Sequence, residues 1–246
     1  TAHIADNSIT ADLLAHTSVT AASYGSSTAI PIITVDAQGR ITAASTVSAG
    51  GGGGTTVSGT SLKSNNTGTN VNTNGGVSLG SECGNSGQGD ACVAIGLTAG
   101  KSNQSNISVA IGYEAGRDDQ DTGCVAIGAY AGKYDQGQRA IAIGDQAGTG
   151  YDGTGQGNYA IGIGHMGGAY NQGADSVAIG KNAGHTSQGS QSIAIGSDAG
   201  TDNQDTRSIA IGYNAGKYDQ GSYAIAIGDN AGEGNDGTGQ ANYAVA

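Results

Sequence analysis

The chain has no tryptophan and no phenylalanine, one proline, three cysteines and only nine lysines and arginines in 246 residues. Isoleucine, leucine, valine and methionine together make up about 15% of it, below the roughly 20% under which a charged chain is ordinarily disordered. An ordinary single-core globular domain is therefore excluded, unless a repeat concentrates the few aliphatic residues. The basic residues are outnumbered by 20 acidic ones, for a formal net charge of −11. That balance repels nucleic acid and anionic membrane surfaces, because phosphate binding needs basic patches. No apolar run approaches the ~18 residues of a transmembrane helix, so no membrane insertion is expected. Low charge, no aromatic core and no catalytic triad argue against a conventional enzyme. What is abundant is glycine, 47 residues or about 19%, against roughly 7% in ordinary proteins.

The glycines belong to a repeat. The pattern V-A-I-G recurs at Val93–Gly96, Val109–Gly112, Val125–Gly128, Ile141–Gly144, Ile161–Gly164, Val177–Gly180, Ile193–Gly196, Ile209–Gly212 and Ile225–Gly228. Val77–Gly80 is a degenerate first copy, and Val245-Ala246 begins an eleventh. The chain starts without Met and ends inside a repeat, which reads as a piece of a longer protein. The step is 16 residues, except for two steps of 20, from 141 to 161 and from 225 to 245. Five steps make an 84-residue block that occurs twice, as 77–160 and 161–244.

Columns are numbered here from the Val or Ile of V-A-I-G, and residues after a long-repeat insertion keep their short-repeat numbers. Columns 1 and 3 hold 20 of the 23 large aliphatic residues of 77–244. They are Val93 and Ile95, Val109 and Ile111, Val125 and Ile127, Ile141 and Ile143, Ile161 and Ile163. The second block continues them with Val177 and Ile179, Ile193 and Ile195, Ile209 and Ile211, Ile225 and Ile227, while Val77 and Leu79 stand in the first copy. Such alternation puts columns 1 and 3 on one strand face and column 2 on the other. The large residues are expected to form the structural core. Column 2 is Ala in eight of ten repeats, with Ser78 and Gly162 the exceptions. A face of such small residues is expected to pack closely against other chains of an oligomer, with a parallel trimer the natural closed arrangement.

A 16-residue period is too short for helix-pair repeats of roughly 33 or more. It suits a β-solenoid coil of two short strands and two turns. Column 4 and column 8 are always Gly, as in the pairs Gly96 and Gly100, Gly112 and Gly116, Gly128 and Gly132, Gly144 and Gly148. The later pairs are Gly180 and Gly184, Gly196 and Gly200, Gly212 and Gly216. They supply turn conformations or close backbone approach. One glutamine column follows: Gln88, Gln104, Gln120, Gln136 and Gln156, then Gln172, Gln188, Gln204, Gln220 and Gln240. Stacked coils rise about 4.8 Å each, so ten span roughly 48 Å, and the glutamines are expected to stack as an outer amide ladder. The four-residue insertions before Gln156 and Gln240 should project as loops from one edge.

The S-V-A-I-G-x-x-A-G pattern, as in Ser108–Gly116 and Ser176–Gly184, resembles the head repeats of YadA-like trimeric autotransporter adhesins, with similar repeats in bacteriophage tail fibres. The resemblance implies a homotrimeric parallel β-roll over 77–246. It departs from the adhesin pattern in its even period, its unbroken column-8 Gly and its Gln column. Residues 1–48 differ in texture. Ile30–Ala44 reads as a hairpin closed by a type I turn at Asp36-Ala37-Gln38-Gly39, with Gly39 left-handed. The stretch Tyr24–Ser45 resembles a module of cyanophage tail fibres, and Ile4–Leu14 the short linker elements beside it. Residues 49–76 are a Gly-rich linker: Gly50–Gly54 is a flexible junction, and 55–76, rich in Thr, Ser, Asn and Gly, are a mobile linker or an intertwined neck.

The predicted architecture is thus all-β. A small hairpin module (1–48) and a linker or neck (49–76) precede a trimeric parallel β-roll or β-solenoid (77–246). Candidate chemistry is sparse. Cys83 sits in an alanine column, and Cys92 and Cys124 in one otherwise filled by Ser or Ala, so all three read as small-residue replacements. His3, His16, His165 and His185 form no constellation. Asp152 and Asp236, in the long loops, are the only candidates for Ca²⁺ ligands, and one carboxylate per loop is few. No phosphate loop occurs, and no cofactor is expected. Tyr113, Tyr134, Tyr151, Tyr170, Tyr213 and Tyr218 stand at loop columns. Two readings apply to them: stacking on host cell-surface glycans, or covering strand ends and chain boundaries. The function expected is a structural homotrimeric tail fibre segment of a virion, joined to other tail proteins and serving host attachment. Its rivals are a bacterial cell-surface adhesin head, a monomeric ice-binding-like solenoid and a fibre-borne depolymerase. The ice-binding reading calls for flat Thr columns, and the depolymerase reading for paired carboxylates; neither is found.

Overall fold

In the computed structural model, residues 18–26, 29–48, 62–63, 75–151, 153–235 and 238–246 are described. The chain divides into two compact units, Thr1–Gly54 and Thr55–Ala246. In the first, β1 (Ala29–Val35) and β2 (Ile41–Ser48) pair antiparallel, with a register shift between Thr34 and Val35. The expected turn is present. Gly39 is left-handed (φ 83°) and its N–H donates to the Asp36 carbonyl at 3.0 Å. The Asp36 carboxylate accepts from the N–H groups of Gln38 (3.0 Å) and Arg40 (2.9 Å) and pairs with the Arg40 guanidinium at 2.7 Å. The Arg40 backbone N–H is the main reason its pKa lies below the usual carboxylate value.

The second unit is a parallel β-solenoid of about nine turns with coils of ~16 residues. Its main sheet runs from β3 (Leu62–Lys63) through β4 (Val77–Leu79), β5 (Val93–Ile95), β7 (Val109–Ile111), β9 (Val125–Ile127) and β11 (Ile141–Ile143). It continues through β12 (Ile161–Ile163), β13 (Val177–Ile179), β14 (Ile193–Ile195), β15 (Ile209–Ile211) and β16 (Ile225–Ile227). Register is strict: Ile141 pairs Ile161 and Ala142 pairs Gly162, across a long repeat as across short ones. A second row of strands forms on columns 10–12, as β6 (Ser102–Gln104), β8 (Asp118–Gln120) and β10 (Tyr134–Gln136). Single bridges extend that row through Tyr170, Thr186, Asp202 and Tyr218. The four-residue insertions are therefore absorbed in the turn before the glutamine, without loss of register.

The interior reverses the expected facing of the strands. The column-2 alanines, from Ala94 to Ala226, are 0% exposed and point inward. They pack with the column-7 alanines, such as Ala99 and Ala183, and the small residues of column 16, such as Ser108, Cys124 and Ala140, are buried as well. Val93, Val109, Val125, Ile141, Ile161, Val177, Ile193, Ile209 and Ile225 are only half-buried. Among their column-3 partners Ile95, Ile111, Ile163, Ile195 and Ile211 are half-buried too. Ile127, Ile143 and Ile179 are each 36% exposed, and Ile227 58%. These residues are therefore not the core of the coil. A coil this short encloses a narrow section in which four columns converge, and only small side chains and one glutamine fill it. The alanine face is used up inside each coil, so it cannot be the contact between chains.

The glutamines are likewise interior rather than outer. From Gln104 to Gln220 they are buried, and the end members Gln88 and Gln240 half-buried. Eight of the nine steps carry an Nε2-to-Oε1 bond of 2.7–3.3 Å. Each glutamine from Gln104 onward also donates to the column-1 carbonyl of its coil, as Gln188 does to Val177 at 2.9 Å. The break lies between Gln104 and Gln120, where the Gln120 Oε1 has no partner among the described residues. Two glycine columns make room. A Cβ on Gly96 (φ 128°) would collide with the Gly112 carbonyl of the next coil. A Cβ on Gly100 (φ 51°) would lie 2.5 Å from Gln104 Oε1.

Candidate functional site

The solenoid presents two distinct surfaces. The first is the outer side of the main sheet. Because column 2 turns inward, strand alternation forces columns 1 and 3 outward. The in-register pairing lines them up coil after coil. Ten such strands, about 4.8 Å apart, give an apolar strip about 43 Å long. No main-chain polar group interrupts it, since the ladder bonds run between coils, as from Val93 N–H to the Ser108 carbonyl.

The second surface lies half a coil away in sequence, on the outer residues of columns 10 and 11 and the long loops. Here Tyr134, Tyr170 and Tyr218 are half-buried in one column. Tyr151, on the first long loop and 62% exposed, stacks on Tyr170 with centroids 4.5 Å apart and rings 7° from parallel. The Tyr170 ring meets His185 edge-on at 5.1 Å. Tyr113 and Tyr213 are elsewhere, in column 5 beside the V-A-I-G turn, and both are exposed. The Glu114 carboxylate beside Tyr113 pushes its hydroxyl up to about 12. The Arg117 guanidinium binds Glu114 at 2.9 Å and Asp118 at 2.7 Å and donates to the Tyr134 hydroxyl at 3.0 Å. Lys133 pairs with Glu114 at 2.7 Å and lies over the Tyr134 ring at 4.9 Å.

Grooves open along this surface, and two of them share a pattern of lining residues. One encloses about 630 Å³ and is lined by Ser102, Arg117, Asp118, Asp119, Tyr134, Asp135 and Tyr151. The other encloses about 560 Å³ among Thr186, Asp202, Asn203, Tyr218 and Asn235. The chain matches no protein-family model, no curated protein and no solved structure.

Cys83, Cys92 and Cys124 are buried free thiols in small-residue columns. His165 lies 3.5 Å from Asp145, and its charge acts on His185, which meets the Tyr170 ring. His3, His16, Asp152 and Asp236 lie outside the described residues, as do 49–61 and 64–74. Among the described residues no group of three or more His, Cys, Asp or Glu could hold a metal, and no helix is long and apolar enough to cross a membrane. Sequence reasoning passed over the column-15 pairs. Arg139 donates to the Tyr159 hydroxyl at 2.9 Å, and Arg207 to that of Tyr223 at 2.6 Å, while Tyr223 stacks on Tyr243. The signal was available: residues one repeat apart in an exposed column are neighbours across coils.

Proposed function

We propose that this chain is a structural, homotrimeric fibre segment, a bacteriophage tail fibre that serves host recognition and attachment. The observation that carries the reading is the outward strip of Val and Ile. A contiguous apolar strip of this length marks an interaction surface in a soluble protein. It is straight and in register, so identical chains running parallel can bring their strips together around one axis. The number three, the tail-fibre setting and the junction to other tail proteins come from the resemblance of the repeats and of Tyr24–Ser45. A rod of this kind works mechanically, holding several copies of any binding feature at fixed spacing so that weak contacts multiply.

Light scattering tests the assembly. The expected native mass is three times 23.8 kDa. Ile143→Asp with Ile179→Asp, on the outer face, should give folded monomers, because neither side chain lies inside a coil. A β-rich monomer for the unaltered chain overturns the reading.

A further inference from the structure

The two grooves are the same groove made twice. Each lining residue of the second stands 84 residues after a lining residue of the first: Ser102 and Thr186, Asp118 and Asp202, Asp119 and Asn203, Tyr134 and Tyr218, Tyr151 and Asn235. The first is lined by Tyr151 and the second by Asn235, each from the long repeat that only the fifth coil of each block carries. They lie five coils apart, about 24 Å along the solenoid.

The residue types are kept where the coil does not demand them. Columns 9–11 are Asn-Ser-Gly, Lys-Ser-Asn, Arg-Asp-Asp, Ala-Tyr-Asn, His-Thr-Ser and Thr-Asp-Asn in six coils, yet Lys-Tyr-Asp in both coils that precede a long loop, as Lys133–Asp135 and Lys217–Asp219. Asp135 has a local task, since its carboxylate accepts from the Gly153 N–H of the loop at 2.5 Å. The Tyr134 ring has two cations over it, Lys133 and Arg117, each at 4.9 Å, and the Tyr218 ring has Lys217 at 5.2 Å.

We propose that these paired grooves bind neutral glycans, one glycan segment in each. The shared set is a hydroxyl, a carboxylate, a second carboxylate or amide, and a tyrosine. Carboxylates and amides take up the donor and acceptor capacity of sugar hydroxyls, and the tyrosine offers its ring edge and hydroxyl, an apolar body with a polar tip, to the sugar beside the cations that lie over the ring. The two volumes are similar, about 630 and 560 Å³, and both grooves are open clefts. Charge selects against acidic polysaccharide: Asp118, Asp119 and Asp135 outnumber Arg117 and Lys133 at the first groove, and Asp202 with Asp219, which accepts from the liner Asn203, outnumber Lys217 at the second. The grooves are built on columns 10–11 and the loops, so covering columns 1 and 3 in an assembly leaves that strand row outside the strip. This inference rests on the attachment reading for its biological sense and on the grooves alone for its chemistry.

The test uses the full chain on a printed array of neutral hexose and N-acetylhexosamine oligosaccharides, with sialylated and sulfated glycans beside them. Binding is expected on neutral glycans. It should fall at least tenfold in Tyr134→Ala with Tyr218→Ala and by a smaller factor in each single variant. Circular dichroism and native mass, measured on the same samples, should not change. No neutral glycan bound, a preference for anionic glycans, or undiminished binding by the double variant overturns the proposal. The two readings fail separately: a trimer that binds no neutral glycan removes this inference alone, and a monomer that binds them removes the fibre assembly alone.

Discussion

At the scale of single residues, the coil is shaped by left-handed backbone well beyond its glycines. Columns 6, 11 and 15 are left-handed with ordinary residues in place, for example Glu114 (φ 54°), Asp119 (φ 56°) and Arg139 (φ 56°). Asn and Asp tolerate this region through their short polar side chains, and β-branched residues do not. That accounts for the many Asn and Asp in column 11. Thr98 (φ 56°) and Ile107 break the rule, Ile107 at φ 59° and 67% exposed. Ile107→Asn should therefore stabilise the chain by about 1 kcal/mol, read as a higher denaturant midpoint; a loss of stability would argue against left-handed backbone there. The thiols offer a second check. Burial pushes Cys124 up to about 11, and its Sγ–H donates to the Gly137 carbonyl at 2.9 Å. At pH 8 its thiolate fraction is then on the order of a thousandth, and access is closed as well. Cys124 should resist iodoacetamide in the native chain and react once the chain is unfolded, as mass spectrometry of the labelled peptides would show.

At the scale of the coil, polar side chains do what apolar ones do in larger folds. Gln188 accepts from Gln172 Nε2 (3.2 Å) and donates to Gln204 Oε1 (3.1 Å) and the Val177 carbonyl (2.9 Å), with nothing but protein around it. Gln188→Leu keeps the bulk and strands those partners in a dry interior, at about 1–3 kcal/mol for each unsatisfied group. A loss of about 3 kcal/mol or more is expected from equilibrium unfolding; a loss below about 1 kcal/mol would mean the ladder contributes little. The glycine columns should differ in sensitivity. Gly196→Ala drives a Cβ into the Gly212 backbone carbonyl, while Gly200→Ala meets Gln204 Oε1, the end of a side chain. The first should cost about 3 kcal/mol or more and the second clearly less, an ordering that paired thermal melts would read.

At the scale of the whole solenoid, each coil contacts its neighbours through identical columns, so stability is close to a sum over coils and coil interfaces. Removing residues 193–208 joins Ser192 to Ile209 and restores every column. That deletion should keep the β-sheet circular dichroism per residue, with a modest drop in Tm. Removing only 193–200 joins Ser192 to Thr201, puts a turn against a strand, and should abolish cooperative melting. If both deletions behave alike, the columns do not set the register.

The 16-residue period, the parallel stacking of coils, the Gly39 hairpin turn and the glycine columns follow from spacing and residue type, because a stack of coils repeats its geometry wherever its sequence repeats. The facing of the strands does not follow. Alternation separates Ala from Val and Ile but carries no sign, and the usual preference puts the larger residues inside. Only the closed coil, with four columns meeting in a narrow section, decides that Ala and Gln are inside and that Val and Ile form the outer strip. The grooves were half legible: the 84-residue duplication and the two insertions stand in the sequence, and Tyr134, Tyr151 and Tyr218 were singled out from it. Their meeting with Asp118, Asp202 and Ser102 was not, since these residues lie one or more coils apart along the chain and become neighbours only when the coils stack.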